Sequence, residues 1–353
     1  MKQACRFDNL ALNKEGLLNL FCMCGIVIKV KFKHMKYLIP LLIVFLSACQ
    51  TPQQPKAEWA IALHGGAGNM DRTKFTPEDI KRYEDGLNAA LTLGKEALAE
   101  GQTALDVVEL VVRNLEDNPL FNAGKGSVFT NDGRNELDAA IMDGRDLNAG
   151  AVAGVGDIRN PISAARLVME KSPHVLLIGK GASLYSAQNG IEMVDSSYFH
   201  TEAAWQKLQR ALQKAGKNGT VGCVALDKNG NLAAATSTGG MNNKRYGRVG
   251  DVPVIGAGTY ANNNTCAVSA TGHGEYYIRY TVAHDISALV EYKGLSLDEA
   301  ARTVVNEKLS NEAGNGGVIA VDKYGNVTLE MNSTGMFRAW ATANGEEGVA
   351  IFK

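Results

Sequence analysis

The chain has 353 residues, of which 45% are apolar and 21% charged, and this is the composition of a globular protein. Its formal net charge is -1, and the residues beyond position 49 include 29 basic and 35 acidic side chains. This balance indicates no nucleic-acid surface. Only two of the six cysteines, Cys223 and Cys266, lie beyond position 49, which excludes a disulfide framework. We expect both to be small buried hydrophobic residues, and a bridge between them is the alternative.

The segment that begins at Met35 has the features of a bacterial export signal. Its apolar core, residues 38–46, is too short to span a bilayer as a helix, and it ends in Leu46-Ser47-Ala48-Cys49. This tetrapeptide resembles a lipobox, in which the cysteine is lipidated and the chain is cut before it. We therefore expect a lipoprotein signal peptide at residues 35–48, a lipid anchor on Cys49 at the periplasmic face of the cell envelope, and a tether at residues 49–57. A plain secretory leader that releases a soluble periplasmic protein is the alternative.

Residues 1–34 fit poorly in front of such a leader. They contain a second apolar stretch, residues 17–30, which is interrupted by Asn19 and followed by Lys31 and Lys33. We interpret Met35 as the true start and residues 1–34 as an upstream extension. A tandem N-terminal anchor is the competing interpretation.

Beyond the tether, strand-like and helix-like stretches alternate. Residues 59–64 predict a buried strand that runs into a glycine-rich loop containing His64. Thr76 and Pro77 predict the start of a helix, and a second helix is expected to begin near Thr103. Residues 128–142 predict a hairpin around Asn131-Asp132-Gly133, and residues 151–179 predict a strand, a helix and a strand.

The second half of the chain predicts a connector, two hairpins and two helices. Residues 189–218 are polar and poor in β-branched side chains, which indicates a mobile connector. Residues 224–238 and 319–334 share the pattern of strand, Asp-Lys-x-Gly-Asn turn and strand, which predicts adjacent antiparallel hairpins in one core. Residues 275–292 and 296–309 have helical periodicity, with a capping box at Ser296. Strands mixed with packed helices favour a layered α+β fold over a parallel Rossmann sheet.

Thr220 is the candidate nucleophile, because it follows Gly219 at the junction between the connector and a buried strand. Cleavage of the Gly219–Thr220 bond would leave its hydroxyl and α-amine at a fixed strand end. An N-terminal threonine can use its own α-amine, whose ordinary pKa is about 7.7–8.0, as the base for its hydroxyl. No histidine partner is needed, and the chain has no Gly-x-Ser-x-Gly elbow on which a serine triad would depend.

Two further segments have the chemistry of a site for amide hydrolysis. The stretch Thr271-Gly272-His273-Gly274 predicts a tight turn whose hydroxyl and backbone N–H can bind an oxyanion. Arg248 and Asp251 lie three residues apart in a glycine-rich loop. A guanidinium binds a carboxylate with two hydrogen bonds and a carboxylate binds an ammonium, so the pair could recognise a free amino-acid head group. A solvated surface ion pair is the alternative.

These segments occur in an order that resembles the N-terminal-nucleophile hydrolases of the plant-type asparaginase and isoaspartyl peptidase family. The similarity covers essentially all of residues 59–353, and the matching pieces are His64-Gly-Gly-Ala-Gly68, Pro119-Leu-Phe-Asn-Ala-Gly124, Glu136-Leu-Asp-Ala139, Met142-Asp-Gly144, Gly219-Thr-Val-Gly222, Thr236-Ser-Thr-Gly-Gly240, Gly247-Arg-Val-Gly-Asp251, Gly256-Ala-Gly258 and Thr271-Gly272. The resemblance implies a four-layer αββα sandwich that cleaves itself into an α subunit, residues 58–219, and a β subunit, residues 220–353. The two fragments are expected to stay together and to pair into a dimer of heterodimers.

The resemblance also implies roles for individual residues. Thr220 is the expected nucleophile and base, and the Thr238 hydroxyl supports it. Thr271 and Gly272 form the oxyanion site, Arg248 and Asp251 hold the head group of the substrate, and Asn122 orders the site before cleavage. No cofactor is required, but the resemblance implies a sodium ion bound by the backbone carbonyls of Leu115, Glu116, Asn118, Phe121, Ala123 and Lys125. His273 occupies a position that varies in the family and is given no role.

The implied activity releases L-aspartate from β-aspartyl dipeptides and from L-asparagine. Both substrates present the same aspartyl half, so the residues do not indicate which is preferred. Glycosylasparaginase shares the nucleophile, the Arg–Asp pair and the Thr–Gly donors, although the opening His64-Gly-Gly-Ala-Gly68 favours the isoaspartyl branch. A non-catalytic surface lipoprotein with the same fold is the third hypothesis.

Overall fold

The computed structural model describes residues 17–21, 27–31, 57–213 and 219–353. The chain divides into two units, Met1–Pro55 and Lys56–Lys353. In the first unit, β1 (Leu17–Phe21) pairs antiparallel with β2 (Val27–Lys31). The predicted signal peptide, Cys49 and the tether up to residue 56 lie outside the described residues. Among the residues that are described, no helix is long and apolar enough to cross a membrane.

The second unit begins with β3 (Ala60–Gly68), a strand that continues through the glycines where a loop was predicted. Thr76 and Thr103 are the N-caps of α1 (Pro77–Ala99) and α2 (Ala104–Asp117), as predicted. The next elements are β4 (Leu137–Asp143), β5 (Ala149–Val155), α3 (Pro161–Lys171), β6 (Leu176–Ile178) and α4 (Gly179–Gln188). Of the hairpin predicted at residues 128–142, the turn around Asn131-Asp132-Gly133 is present, because Phe129 and Asn135 form an antiparallel bridge, but the predicted strands are wrong, because β4 pairs with β5.

The predicted mobile connector is also wrong over most of its described length. It contains a 3-10 turn (Ser196–Phe199) and helix α5 (Glu202–Gln213). The helix buries Ala204 and Leu208, one turn apart, and its Trp205 packs edge-on against Phe129 with 5.3 Å between the ring centroids. Residues 214–218, which complete the connector, lie outside the described residues.

The chain after Thr220 continues with β7 (Val221–Leu226), β8 (Leu232–Thr238), β9 (Thr259–Ala261) and β10 (Cys266–Gly272). Helices α6 (Gly274–Tyr280) and α7 (Val282–Lys293) replace one predicted helix, because the left-handed backbone of Thr281 separates them. Helix α8 (Leu297–Arg302) has the predicted capping box and continues as a π-helix (Thr303–Leu309). Strands β11 (Gly316–Asp322), β12 (Val327–Met331), β13 (Gly335–Thr342) and β14 (Glu347–Phe352) complete the unit.

The strands of the second unit form two stacked sheets. One has the order β14-β13-β3-β7-β8-β4-β5-β6, and the other has the order β12-β11-β10-β9. An apolar layer that includes Ala62, Val224 and Ile319 packs between the sheets. Helices α1, α2 and α3 cover the outer face of the large sheet, and α6, α7 and α8 cover the small one. This is the predicted α+β αββα sandwich. The two similar hairpins, however, lie in different sheets and face one another across this layer.

The sheet register places the candidate site. Val221 pairs with Ser237, so Thr220 and Thr238 lie at the same end of β7 and β8. Strand β3 lies between β13 and β7, so strands from both sides of residue 219 alternate in one sheet. Cys223 and Cys266 are both free and fully buried, as expected of small hydrophobic residues.

Candidate active site

The hydroxyl of Thr220 lies beside a second threonine hydroxyl. Thr220 Oγ1 donates to Thr238 Oγ1 at 3.2 Å, and Thr238 Oγ1 also accepts from the backbone N–H of Gly240 at 2.9 Å. Both side chains are buried. The arrangement holds the Thr220 hydroxyl at the start of β7, immediately after the Gly219 carbonyl.

The carbonyl of Gly219 receives two side-chain donors. Asn122 Nδ2 donates to Gly219 O at 2.5 Å, and Thr238 Oγ1 approaches the same oxygen at 3.3 Å. Asn122 is fixed in turn, because its Oδ1 accepts from Val128 N at 2.9 Å and its Nδ2 also donates to Gly240 O at 2.9 Å. Donors in these positions stabilise negative charge on the carbonyl oxygen when a nucleophile adds to its carbon.

His64 holds the carbonyl of Thr220 itself. Its Nδ1 lies 3.0 Å from Thr220 O, which can only accept, so Nδ1 carries the proton. Its Nε2 is therefore an acceptor and receives the Ser269 hydroxyl at 3.0 Å. Burial lowers the pKa of His64 to about 3, against the opposing effect of the bond to Thr220, so the ring is neutral at ordinary pH.

A row of hydroxyls supports the His64 tautomer. Thr259 donates to Thr236, and Thr236 donates to Ser269, with 2.7 Å between the oxygens in each bond. Ser269 and Thr259 belong to the small sheet and Thr236 to the large one. The row therefore crosses the layer between the sheets and ends at Thr220.

Two glycines allow the backbones to approach closely here. A Cβ on Gly66, whose φ is +115°, would lie 2.8 Å from Gly219 Cα. A Cβ on Gly222 would lie 2.0 Å from Ser269 Oγ and 2.5 Å from His64 Nε2. Any larger residue at either position would displace the Gly219–Thr220 peptide or its supports.

Thr271 and Gly272 end strand β10, so the tight turn that was predicted for them is wrong. Thr271 Oγ1 accepts from Ala67 N at 3.1 Å, next to Gly66 and hence to the Gly219–Thr220 bond. Gly272 is exposed, and a Cβ there would lie 2.4 Å from Asn315 O. The Thr271 hydroxyl and the Gly272 backbone therefore reach the site from the end of a strand and not from a turn.

Arg248 and Asp251 do not form the surface ion pair that was the alternative to a head-group site. Arg248 binds the Glu275 carboxylate with two bonds of 3.0 Å, one from Nε and one from Nη2. Asp251 is buried, and its Oδ2 has no hydrogen-bond partner within the described residues. Burial raises the pKa of Asp251 to about 7, although the Arg248 charge acts in the opposite direction.

Gly274 connects this pair to the rest of the site. A Cβ at Gly274 would lie 2.7 Å from Asp251 Oδ1 and 2.8 Å from Arg248 Nη2, and Gly274 follows Gly272 by two residues. A Cβ at Gly240, which is bonded to Thr238 and Asn122, would lie 3.5 Å from Arg248 Nη1. The structure therefore brings every residue of the predicted catalytic set into one neighbourhood.

Residues 57–351 match the protein family described as Asparaginase. The chain belongs to the asparaginase family. It is 51% identical over 307 residues to an isoaspartyl peptidase of Escherichia coli, with 83% of this chain and 96% of the relative covered. It is 52% identical to the isoaspartyl peptidase of Salmonella typhimurium (83% and 98% covered) and 44% identical to a human isoaspartyl peptidase/L-asparaginase (80% and 92% covered).

Sequence reasoning assigned no role to several residues of this asparaginase-family site, notably His64, Ser269 and Glu275. The alternation of side chains along β3 indicates that His64 is buried between the sheets. Ile61 and Leu63 face the helical layer, whereas Ala60 and Ala62 face the second sheet, so His64 falls on an apolar face where an imidazole needs partners. No comparable sequence pattern indicates that Glu275 binds Arg248.

We expect His64→Ala to lower kcat about ten-fold with little change in KM, because the Thr220 carbonyl loses its donor and Thr220, the candidate nucleophile, loses its orientation. His64→Asn should recover part of kcat, since an amide N–H can replace Nδ1–H. Steady-state kinetics between pH 5 and 9 would measure both, and the imidazole pKa of about 3 predicts no ionisation of His64 in this range. Equal rates for all three proteins would contradict the positioning role.

Proposed function

We propose that this chain is a self-activating threonine hydrolase that acts as an isoaspartyl peptidase and L-asparaginase. The observation that carries the proposal is the Thr220 hydroxyl, which lies beside a carbonyl that already has two donors, Asn122 and Thr238. The names of the similar proteins support the substrate class.

In the first stage Thr220 Oγ1 attacks the carbonyl carbon of Gly219. Asn122 and Thr238 stabilise the oxyanion, and the C–N bond breaks as the proton of the Thr220 hydroxyl passes to the Thr220 nitrogen, so that the acyl group moves from nitrogen to oxygen and forms an ester. Water hydrolyses the ester and releases Gly219 as a new C-terminus and Thr220 with a free α-amine. Because β3 of the first fragment lies between β13 and β7 of the second, residues 58–219 and 220–353 remain in one sheet after cleavage.

In the second stage the α-amine of Thr220 accepts the proton of its hydroxyl, which attacks the β-carbonyl of the substrate. The α-carboxylate of the substrate replaces Glu275 on Arg248, which already binds a carboxylate with two bonds. The α-ammonium binds the unpartnered Oδ2 of Asp251. Thr271 and Gly272 receive the oxyanion. The amine leaves with a proton from the Thr220 α-amine, and water then releases aspartate from the aspartyl ester.

The two other hypotheses are less well supported. Glycosylasparaginase would use the same residues, but the similar proteins are named isoaspartyl peptidase or isoaspartyl peptidase/L-asparaginase. A non-catalytic module would have no need for a buried Asp251 oxygen without a partner or for two donors on the Gly219 carbonyl.

The loop after α2 fits a sodium ion bound by backbone carbonyls. A Cβ at Gly124, whose φ is +46°, would lie 2.3 Å from Glu116 O, and a Cβ at Gly126 would lie 2.1 Å from Phe121 O. Both glycines therefore lie directly against carbonyl oxygens of this loop, and carbonyl oxygens suit a hard cation. The ligands would be the carbonyls of Leu115, Glu116, Asn118, Phe121, Ala123 and Lys125. The ion would hold the loop that carries Asn122.

Export and assembly belong to the same proposal. The sequence from Met35 to Cys49 supports an acylated N-terminus at the cell envelope, and the family resemblance supports a dimer of α–β heterodimers. We propose no nucleic-acid partner for this protein.

Thr220→Ala should abolish both cleavage and hydrolysis, because it removes the only nucleophile of both stages. The wild-type protein should give two fragments on a denaturing gel, and Thr220→Ala should give one band and lose activity about a thousand-fold or more. Thr220→Ser, which keeps a hydroxyl, is the matched control and should still cleave. Intact-mass measurement on protein from membranes would also show whether the first fragment begins at an acylated Cys49. An uncut Thr220→Ala chain that hydrolyses L-asparagine would contradict the proposal.

The pKa of Asp251 should appear in the pH profile of substrate capture. Below its pKa of about 7 the carboxyl is neutral and cannot bind the substrate ammonium, so kcat/KM should fall with decreasing pH. In the complex the ammonium keeps Asp251 ionised, so kcat should show the Thr220 α-amine alone. The acid limb of kcat/KM should therefore be steeper than that of kcat, and Asp251→Asn should remove the difference. Identical slopes in the wild-type protein would exclude the assignment.

A further inference from the structure

The second unit contains a polar cavity of about 340 Å³, and this volume is in the range of small-ligand pockets. Its walls come from the segments 130–136 and 244–247, which an isolated bridge between Thr130 and Lys244 joins. The charged and aromatic side chains of the walls are Asp132, Arg134, Glu136, Lys244, Arg245 and Tyr246. Neither stage of the proposed reaction uses any of them.

Lys244 is the most unusual of these side chains, because it is only 5% exposed. Its ammonium has three N–H groups, and a single one has a partner in the described part of the chain, Glu136 O at 2.9 Å. No carboxylate of that part lies within 4.0 Å of Nζ. Burial lowers the pKa of Lys244, against the opposing effect of Asp138. A buried cation with free donors is costly unless an anion binds it.

The cavity has a net positive charge, because its three cations, Arg134, Lys244 and Arg245, outnumber its two carboxylates, Asp132 and Glu136. Asp132 pairs with Arg134 at 2.6 Å and accepts a hydrogen bond from the Thr130 hydroxyl at 2.6 Å. Glu136 Oε1 lies 3.6 Å from the same guanidinium. Arg245 has no carboxylate partner among residues 57–213 and 219–353, and its Nη2 lies 3.2 Å from the side-chain amide of Asn131, so Lys244 and Arg245 are the two cations of the lining without a carboxylate partner.

The cavity is next to the reacting groups. A Cβ at Gly240 would lie 3.1 Å from Lys244 Nζ and 3.5 Å from Arg248 Nη1. The backbone of Gly240 donates to Thr238 and accepts from Asn122. One glycine therefore separates the Lys244 ammonium from the donors of the Gly219 carbonyl and from the guanidinium that holds the aspartyl head group.

We infer that this cavity binds the leaving half of a β-aspartyl dipeptide, and that Lys244, with Arg245, binds the α-carboxylate of its second residue. The inference rests on the proposed function. L-Asparagine releases ammonia and has no second carboxylate, so it leaves this subsite empty. Tyr246 is 99% exposed at the rim, with φ +61°, where its ring can cover the side chain of the leaving residue. Lys244 is thus a specificity residue that distinguishes the two substrates.

The test compares β-aspartyl-alanine with its C-terminal amide, which differ only in the charge at the position that Lys244 is expected to bind. For the wild-type protein, kcat/KM should be about ten- to a hundred-fold higher for the carboxylate. Lys244→Gln should reduce this ratio to near one, and Arg245→Gln should reduce it by a smaller factor. Lys293→Gln, which removes an exposed lysine outside the cavity, is the matched control and should keep the wild-type ratio.

Each outcome separates the subsite from the function on which it rests. If the wild-type protein hydrolyses both dipeptides equally well, or if Lys244→Gln keeps the full ratio, the inference is overturned. If Lys244→Gln fails to fold or to cleave itself, the wild-type pair and Arg245→Gln decide, and an unchanged ratio in Arg245→Gln overturns the inference. If the wild-type protein hydrolyses neither L-asparagine nor a dipeptide, the proposed function is what fails.

Discussion

The chain is held by hydrogen bonds on both sides of the Gly219–Thr220 bond, at the carbonyl of Gly219 and at the carbonyl of Thr220. The other residues of the site are arranged around this constraint. Asn122 and Thr238 donate to the Gly219 oxygen, and His64 donates to the Thr220 oxygen. The contacts divide at the proposed scissile bond. Asn122 contacts the residue before this bond and His64 the residue after it, whereas Thr238 contacts both, through the Gly219 oxygen and the Thr220 hydroxyl. We therefore expect Thr220 to keep its orientation through the proposed cleavage, while Asn122 loses its bond to the Gly219 oxygen.

This arrangement needs a polar layer inside an apolar sandwich. Buried hydroxyls and an imidazole are tolerated there only when each finds a partner, and the row from Thr259 through Ser269 to His64 provides such partners. Gly66 and Gly222 supply the close backbone approach that the row requires. The free energy cost of the site is thus reduced by residues on both sheets, and the two sheets determine the tautomer of His64 together.

Local features of the fold could be predicted because their signals are local. Thr76 and Ser296 cap helices through contacts three residues away, so short motifs identify them. Helix α5 was missed because its polar composition obscured the one-turn spacing of Ala204 and Leu208. The two Asp-Lys-x-Gly-Asn hairpins have the same local pattern, and nothing in that pattern says that they belong to different sheets.

The site also combines features that the sequence predicts with long-range contacts that it does not. The residues expected at the site from family resemblance, such as Thr220, Asn122 and Arg248, lie close together in the fold. The contacts of His64 could not be predicted, because that to Thr220 spans 156 residues and that to Ser269 spans 205. Arg248 binds Glu275, 27 residues further along the chain, whereas Oδ2 of the nearer Asp251 is buried without a hydrogen-bond partner in the described residues.

The central claim is that Thr220, as a free N-terminus, becomes covalently bound to the aspartyl half of the substrate. Its most direct test is mass spectrometry of the purified protein after acid quenching during turnover of a slowly hydrolysed β-aspartyl substrate. The account predicts that the fragment beginning at Thr220 gains the mass of one aspartyl residue, located on Thr220 itself. Turnover by an uncut chain, or an aspartyl adduct on any other residue, would contradict it.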